Sequence, residues 1–331
     1  MKMKKVTIKE VAKHCGMSIA TVSQILNGHS QHFNPNTVKK VQAAKEELNY
    51  QPNYFAQSMV VKKSKTIGVL VPDITNPFFS TLIGGIESVL YRENYITMLC
   101  NADLDEKKEN DYLEELSRRG VDGFIIASSA ISNEAINANL KAKNHPFIVL
   151  DQKYAEGLSD AVFTDDFLGG RLAAEHLSEL GHKKVAIVAP QAATENIQKR
   201  VAGFRSIYGE DVTLIAAELT KAGGRQAVPN LLKQEVTGVF AINDEIAFGL
   251  YFGLAEAGKK IPENYSIIGY DNVDMCEYIT PKLTTIAQPI FELGEKTAEL
   301  LLKRLAKPDD RWQEITLPVK IIKRFSTAPL N

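Results

Sequence analysis

The sequence predicts an α/β protein in which a small all-helical N-terminal head precedes a body of two doubly wound parallel sheets. Charge, alternation and repetition carry this reading. Residues 1–65 hold eleven lysines and no arginine against Glu10, Glu46 and Glu47, whereas the whole chain balances 39 basic with 40 acidic residues. A basic head is therefore joined to an acidic body, and such a head is attracted to polyanions. From Thr66 onward, short apolar runs alternate with amphipathic stretches, as expected of buried parallel strands linked by helices. RGVDGFIIASS in the first half of the body is answered by EVTGVFAIND in the second, which predicts two sheets of similar build.

The head is predicted element by element. Thr7-Ile8-Lys9-Glu10 has capping-box spacing, so a helix starts near Ile8, with Ile8, Val11 and Ala12 on one face and Gly16 as its exit. Ser18 caps a second helix through Ile19, Val22, Ile25 and Leu26, ended by Asn27-Gly28. Two short helices joined this tightly form a helix-turn-helix. Asn34-Pro35 starts a third helix, whose Val38, Val41, Ala44 and Leu48 close the small core. In such a unit the second helix enters the major groove of DNA. The residues then placed at base edges are Ser18, Ile19, Ala20, Thr21, Ser23 and Gln24. With no arginine available, Gln24 is the candidate partner of adenine, and Ile19 and Ala20 suit thymine methyls.

VTIKEVAKHCGMSIATVSQILNG followed by ELNYQPNYFAQSM resembles the head of the lactose/galactose repressor family of bacterial transcription regulators, and the resemblance runs through the whole chain. It implies DNA contacts at Thr7 and Asn27 as well. It also implies a hinge helix over Pro52 to Val60 that folds on DNA, with contacts from Asn53, Tyr54, Ala56 and Gln57, and with Met59 as the apolar wedge of the minor groove. The expected divisions are a helix-turn-helix domain over 1–50, a hinge helix and linker over 51–65, and a bilobal sensing and dimerisation domain over 66–331.

In the body, the strand-like runs are TIGVLVPD, ITMLCNAD, VDGFIIASS, PFIVLDQ, KVAIVAP, DVTLIAAEL, TGVFAIND and YSIIGYD, with TLPVKIIKRF as the last. Helices are expected over Pro77 to Asn94, Glu106 to Arg119, Phe167 to Leu180 and Glu245 to Ala257. Ligands of open α/β sheets sit beyond the carboxyl ends of the strands. Asn76, Phe78 and Phe79 follow the first strand, and aromatic faces with a nearby amide suit a sugar ring and its hydroxyls. Asp151, Asp244 and Asp271 end three further runs, and carboxylates gathered there are costly unless donors such as hydroxyls meet them. Arg200 adds a planar fork, and Gln288 lies where the chain returns to the first lobe. The resemblance implies the same effector set, Asn243 and Gln152 included, in a body like the periplasmic sugar-binding proteins with three crossovers. TNPFF, LCNAD and the Asp151-Gln152 dipeptide look most like ribose repressors. Sucrose or fructose repressors, and global catabolite regulators that use a phosphoprotein partner, share much of the pattern.

Other classes are poorly supported. The six histidines are dispersed, and no metal-ligand spacing, phosphate-binding glycine motif or nucleophile elbow occurs, so neither metal nor cofactor is expected. A glycosidase would use clefted carboxylates, and a carrier would use the body alone, but neither needs the basic head. Gly84-Gly85, Gly169-Gly170 and Gly223-Gly224 read as close-packing points, and His176 and His182 as partners of a helix's last carbonyls. No apolar run approaches the ~20 residues of a membrane span, and no secretory leader is evident. Three scattered cysteines suit reduced thiols in a cytoplasm. The expectation is thus a cytoplasmic homodimer, without a tetramerising heptad tail, that binds a palindromic operator in double-stranded DNA and answers to a small sugar.

Overall fold

The computed structural model of the chain describes residues 6–51, 63–128, 132–150 and 159–330. The chain divides between Ser64 and Lys65 into two compact units.

The first unit packs α1 (Ile8–Cys15), α2 (Ile19–Leu26) and α3 (Pro35–Glu47) around Val11, Ala12, Val22, Ile25, Val41, Ala44 and Tyr50. The Thr7 backbone N–H donates to the Glu10 carboxylate at 2.7 Å, and Gly16 leaves α1 at φ 70°. Ser18 accepts the Thr21 N–H at 3.1 Å, and Asn34 accepts that of Asn36 at 2.9 Å, so the expected caps start α2 and α3. A short 3-10 turn, Ser30–His32, joins them. His14 and Glu47, 2.7 Å apart, tie α1 to α3.

The second unit holds two six-stranded sheets. The first is built from β1 (Thr66–Val71), β2 (Ile96–Asn101), β3 (Gly123–Ile126), β4 (Phe147–Leu150), β5 (Asp160–Thr164) and β11 (Glu314–Leu317), in the order β11-β5-β4-β3-β1-β2. The second is built from β6 (Val185–Ala189), β7 (Thr213–Ala216), β8 (Gly238–Ala241), β9 (Ser266–Asp271), β10 (Thr284–Ala287) and β12 (Lys320–Ile322), in the order β12-β10-β9-β8-β6-β7. All the described pairings are parallel except β12 on β10. The central strands are buried along their length, because helices cover both faces and strands so placed have no polar side to keep. In chain order the helices are α4 (Pro77–Arg92), α5 (Glu106–Arg118), α6 (Asn133–Asn139), α7 (Asp166–Glu179), α8 (Glu195–Tyr208), α9 (Lys221–Leu231), α10 (Asp244–Glu256) and α11 (Ile290–Ala306).

The chain passes between the lobes after β5, after β10 and between β11 and β12. Three helix pairs are fastened by the expected glycines, each answered by a glycine of the opposite helix: Gly85 by Gly294, Gly170 by Gly203, and Gly224 by Gly249. A Cβ on Gly85 would run into the Phe291 carbonyl, one on Gly170 into that of Arg200, and one on Gly224 into that of Ile246.

Several expectations are corrected. TLPVKIIKRF is not one strand: residues up to Leu317 extend the first sheet beside β5, while Lys320–Ile322 runs antiparallel to β10 in the second. Pro318 falls between them, and a residue without an N–H breaks a ladder. The short β5, which opens on Asp160 and is followed by Asp165, carries too few apolar residues to read as a strand; its Asp160 is fixed by the Arg304 guanidinium at 2.8 and 3.1 Å. His176 and His182 do not serve the end of α7, because the backbone N–H groups of Leu180, Gly181 and His182 already occupy the carbonyls of His176, Ser178 and Leu177. His176 Nε2 instead meets the Thr327 hydroxyl at 2.9 Å, and His182 meets the Thr237 hydroxyl at 2.8 Å and the Ala328 carbonyl at 3.1 Å. Both rings anchor the C-terminal segment to the second lobe.

Candidate nucleic-acid interface and ligand cleft

On α2, Val22 and Ile25 point into the head's core, which turns the remaining face outward. Ser18, Ile19, Ala20 and Gln24 are exposed, Ile19 at 46%, and Thr21, Ser23 and Asn27 are half-buried. Ser18 and Thr21 share a hydroxyl contact at 2.9 Å, and the Asn27 amide donates to the Ser23 hydroxyl at 3.3 Å. The helix thus offers an apolar and amide-bearing edge flanked by small hydroxyls. Thr7 is exposed at the start of α1. Asn53, Tyr54, Ala56, Gln57 and Met59 lie outside the described residues.

The body encloses a cleft of about 550 Å³ between its lobes. Its polar walls come from loops at the carboxyl ends of strands, as the sheet topology requires. Asp73 and Asn76 follow β1; Thr194 and Asn196 follow β6; Glu218 and Thr220 follow β7; Asn243 follows β8; Asp271 ends β9; and Gln288 follows β10. Asn76 caps α4, its side-chain oxygen accepting the Phe78 N–H at 2.9 Å. Phe78 and Phe79, each 4% exposed, meet edge to face with centroids 5.0 Å apart, and belong both to the first lobe's core and to the cleft wall. Asn243 caps α10 by accepting the Ile246 N–H at 2.9 Å, and its amide donates to the Leu219 carbonyl at 3.3 Å.

Arg200 is the buried cation of the second lobe. Its Nε donates to Asp166 at 2.8 Å, its Nη1 donates to the Ile242 carbonyl at 3.1 Å, and its guanidinium lies 3.7 Å from the Tyr270 ring centroid. The Tyr270 hydroxyl also donates to Asp166, at 3.1 Å. Burial raises the Asp166 carboxyl above its ordinary range, against the pull of Arg200, and it raises the Tyr270 phenol well above its own. Asp271 adopts φ 120°, a region L-residues rarely occupy, and accepts the Gln288 amide at 2.7 Å. The other end of that amide accepts the Thr164 hydroxyl at 2.7 Å, so Gln288 bridges the end of β5 to the end of β9.

Of the expected effector residues, the fold gathers Asn76, Phe78, Phe79, Arg200, Asn243, Asp271 and Gln288 at one cleft, while Asp151 and Gln152 lie outside the described residues. Asp244 is the exception. It opens α10 fully buried and away from the cleft wall, accepting the Thr285 hydroxyl at 2.7 Å, the Val273 N–H at 2.9 Å and the Cys276 thiol at 3.1 Å. Those donors hold the carboxylate inside, and burial still pushes it up to about 6. Its effect on the cleft is indirect, since it fixes the turn that follows Asp271. Asp73, Leu104, Asn196 and Glu218 also line the cleft without being marked by residue type; for Asp73, Leu104 and Glu218 the available signal is position just past a strand, and for Asn196 it is position in the first turn of α8.

Among the described residues no metal-binding cluster and no helix long and apolar enough to cross a membrane is present. Residues 64–325 match the family of periplasmic binding proteins and sugar binding domain of LacI family, and residues 7–53 match bacterial regulatory proteins, lacI family. The HTH-type transcriptional repressor PurR of Vibrio campbellii is 32% identical over 333 residues, covering 98% of this chain and 99% of that protein. A LacI family transcriptional regulator of Enterococcus faecalis V583, solved with bound ribose, is 68% identical with a TM-score of 0.78, covering 80% of this chain and 100% of its own. Its counterpart from Enterococcus faecium, also with bound ribose, is 61% identical with a TM-score of 0.76 and the same coverage. The lac repressor dimer bound to operator and the anti-inducer ONPF is 26% identical with a TM-score of 0.87, covering 98% of this chain and 100% of its own.

Proposed function

Because the chain belongs to the LacI family of bacterial regulatory proteins, as a DNA-binding transcriptional repressor with a sugar-binding body, we propose that ribose is its effector and acts from the interlobe cleft. The convergence of an aromatic pair and an amide on one lobe with a cation, a carboxylate and amides on the other carries this reading. Phe78 and Phe79 take the C–H faces of the ring, Arg200 and Asp271 take hydroxyls by charge-assisted bonds, and Asn76, Asn243 and Gln288 take the rest as donor and acceptor together. Asp151 and Gln152, which follow β4 in the sequence, are proposed as further partners of the hydroxyls. The ribose-bound Enterococcus faecalis regulator, at 68% identity, supports a pentose over a larger sugar.

In the head, Ser18, Ile19, Ala20, Thr21, Ser23 and Gln24 read base edges, Thr7 and Asn27 position the unit on the backbone, and the 52–60 hinge inserts Met59 into the minor groove. The repressor binds a palindromic operator as a homodimer, and closure of the lobes on ribose shifts the paired first lobes and loosens that grip. Calorimetry of the full chain against ribose, other pentoses, hexoses, phosphosugars and purine bases tests the effector. Ribose is expected to bind, and to lower operator affinity by the same factor by which operator lowers ribose affinity. The full-length similarity to PurR repressors gives the purine arm its weight: binding of a purine base in place of every sugar would overturn the ribose reading.

A further inference from the structure

Between the end of β2 and the start of α5, the chain makes a tight loop in which Asp103 and Leu104 both stand at φ 55°. Aspartate tolerates the left-handed region, but a bulky residue such as leucine is a true outlier there. The loop is held in place from several sides. Asn101 accepts the Ile74 N–H at 2.8 Å and donates its amide to Asp103, Lys108 pairs with Asp103, and Asp105 caps α5 by accepting the Lys108 N–H at 2.9 Å. The strained conformation is therefore fixed by its neighbours, and its result is that Leu104 is displayed 54% exposed at the wall of the interlobe cleft. A strained backbone and an exposed branched apolar side chain are two penalties at one residue, and neither serves the first lobe's core. Pro190, Ala192 and Ile197 of the second lobe line the same cleft and are apolar as well.

We infer that Leu104 is a latch: when the lobes close on ligand, its side chain packs against Pro190, Ala192 and Ile197 and shuts water out. The left-handed backbone displays the side chain on the cleft that Pro190, Ala192 and Ile197 also line, and burial on closure converts the exposed area into ligand affinity. Leu104 touches no hydroxyl of the sugar; it positions the lobes. The inference rests on the proposal that ribose closes this cleft.

The test uses the full chain with Leu104→Gly, Leu104→Asn and Leu104→Met, reading ribose affinity, ribose dissociation rate and the melting temperature without ribose. Glycine and asparagine both accept φ 55°, so each is expected to melt higher than the wild type while binding ribose about five- to thirtyfold more weakly through faster dissociation. Methionine keeps the apolar reach and is expected to bind within about twofold of the wild type. Unchanged ribose affinity in both the glycine and asparagine variants overturns the latch. So does a melting temperature that falls together with affinity, which is the mark of a merely structural leucine. If the wild type fails to bind ribose, the ribose reading falls on that observation. The ligand-free melting comparison then decides separately: a rise supports strain held at Leu104, and no rise overturns it.

Discussion

Replacing Arg200 by methionine removes a cation whose side chain is 5% exposed and strands Asp166, whose side chain is 3% exposed. The guanidinium's bonds to Asp166 and to the Ile242 carbonyl go with it, as does its packing on Tyr270, while the Tyr270 hydroxyl bond to Asp166 at 3.1 Å remains. Breaking a buried pair from one side costs about 3–5 kcal/mol, because the partner keeps its desolvation penalty without the compensating charge. The sign of the pH dependence follows from Asp166. Its carboxyl already stands above its ordinary range through burial, and without Arg200 it rises further. A carboxyl raised by folding penalises the native state at high pH, and the penalty shrinks as pH falls below the raised value and is gone below the ordinary one. The deficit of Arg200→Met is therefore expected to be largest near neutral pH and clearly smaller at about pH 5. Urea unfolding of both proteins without sugar at the two pH values measures it, and adding Asp166→Asn should recover part of the loss. A deficit below about 1 kcal/mol, or one unchanged with pH, would refute the ion-pair account.

Asp271→Asn keeps the shape but removes the charge-assisted acceptor, so ribose affinity by calorimetry is expected to fall at least about tenfold, and an unchanged affinity removes Asp271 from the site. His176 is buried, with its ordinary value of 6.5 lowered to about 4 by desolvation, so the stability it contributes is present above 6.5 and lost as pH falls toward 4. Equilibrium unfolding across that window should lose about 2–3 kcal/mol, with His176→Gln flattening the slope. Gln24→Ala is expected to narrow the gap between specific and random DNA in a gel-shift titration while leaving the salt slope near −5 to −9, the range for on the order of six to ten phosphate contacts. Equal losses on both DNAs would assign Gln24 to the backbone.

The parts of the molecule visible in the sequence were those whose physics is local. The caps at Thr7, Ser18 and Asn34 bond within a few residues, and the buried strands announce themselves as apolar runs, so the head and the interior of both sheets could be read directly. Cleft residues at or just past the carboxyl end of a strand, such as Asp271 and Gln288, follow from topology. What escaped depends on distant partners. Asp244 has the same position after a strand as a ligand-facing carboxylate, but Thr285, Val273 and Cys276 arrive from far along the chain to turn it inward. The partnership of Arg200 with Asp166 spans 34 positions with no spacing signal, and the split of the last strand at Pro318 depends on which sheet each half reaches.

Gln288 joins the two halves of the body through a single side chain, with its carbonyl end on Thr164 of the first sheet and its amide end on Asp271 of the second. Thr164 and Gln288 each stand where the chain leaves one lobe for the other, and Gln288 and Asp271 also line the cleft, so a link between the lobes and the cleft wall share the same side chains. A sugar hydroxyl bound at Asp271, as proposed, would compete with the Gln288 amide for the same carboxylate. On the proposed reading occupancy and angle meet at one side chain, and a substitution at Gln288 is expected to change both the strength of binding and the range through which the lobes swing.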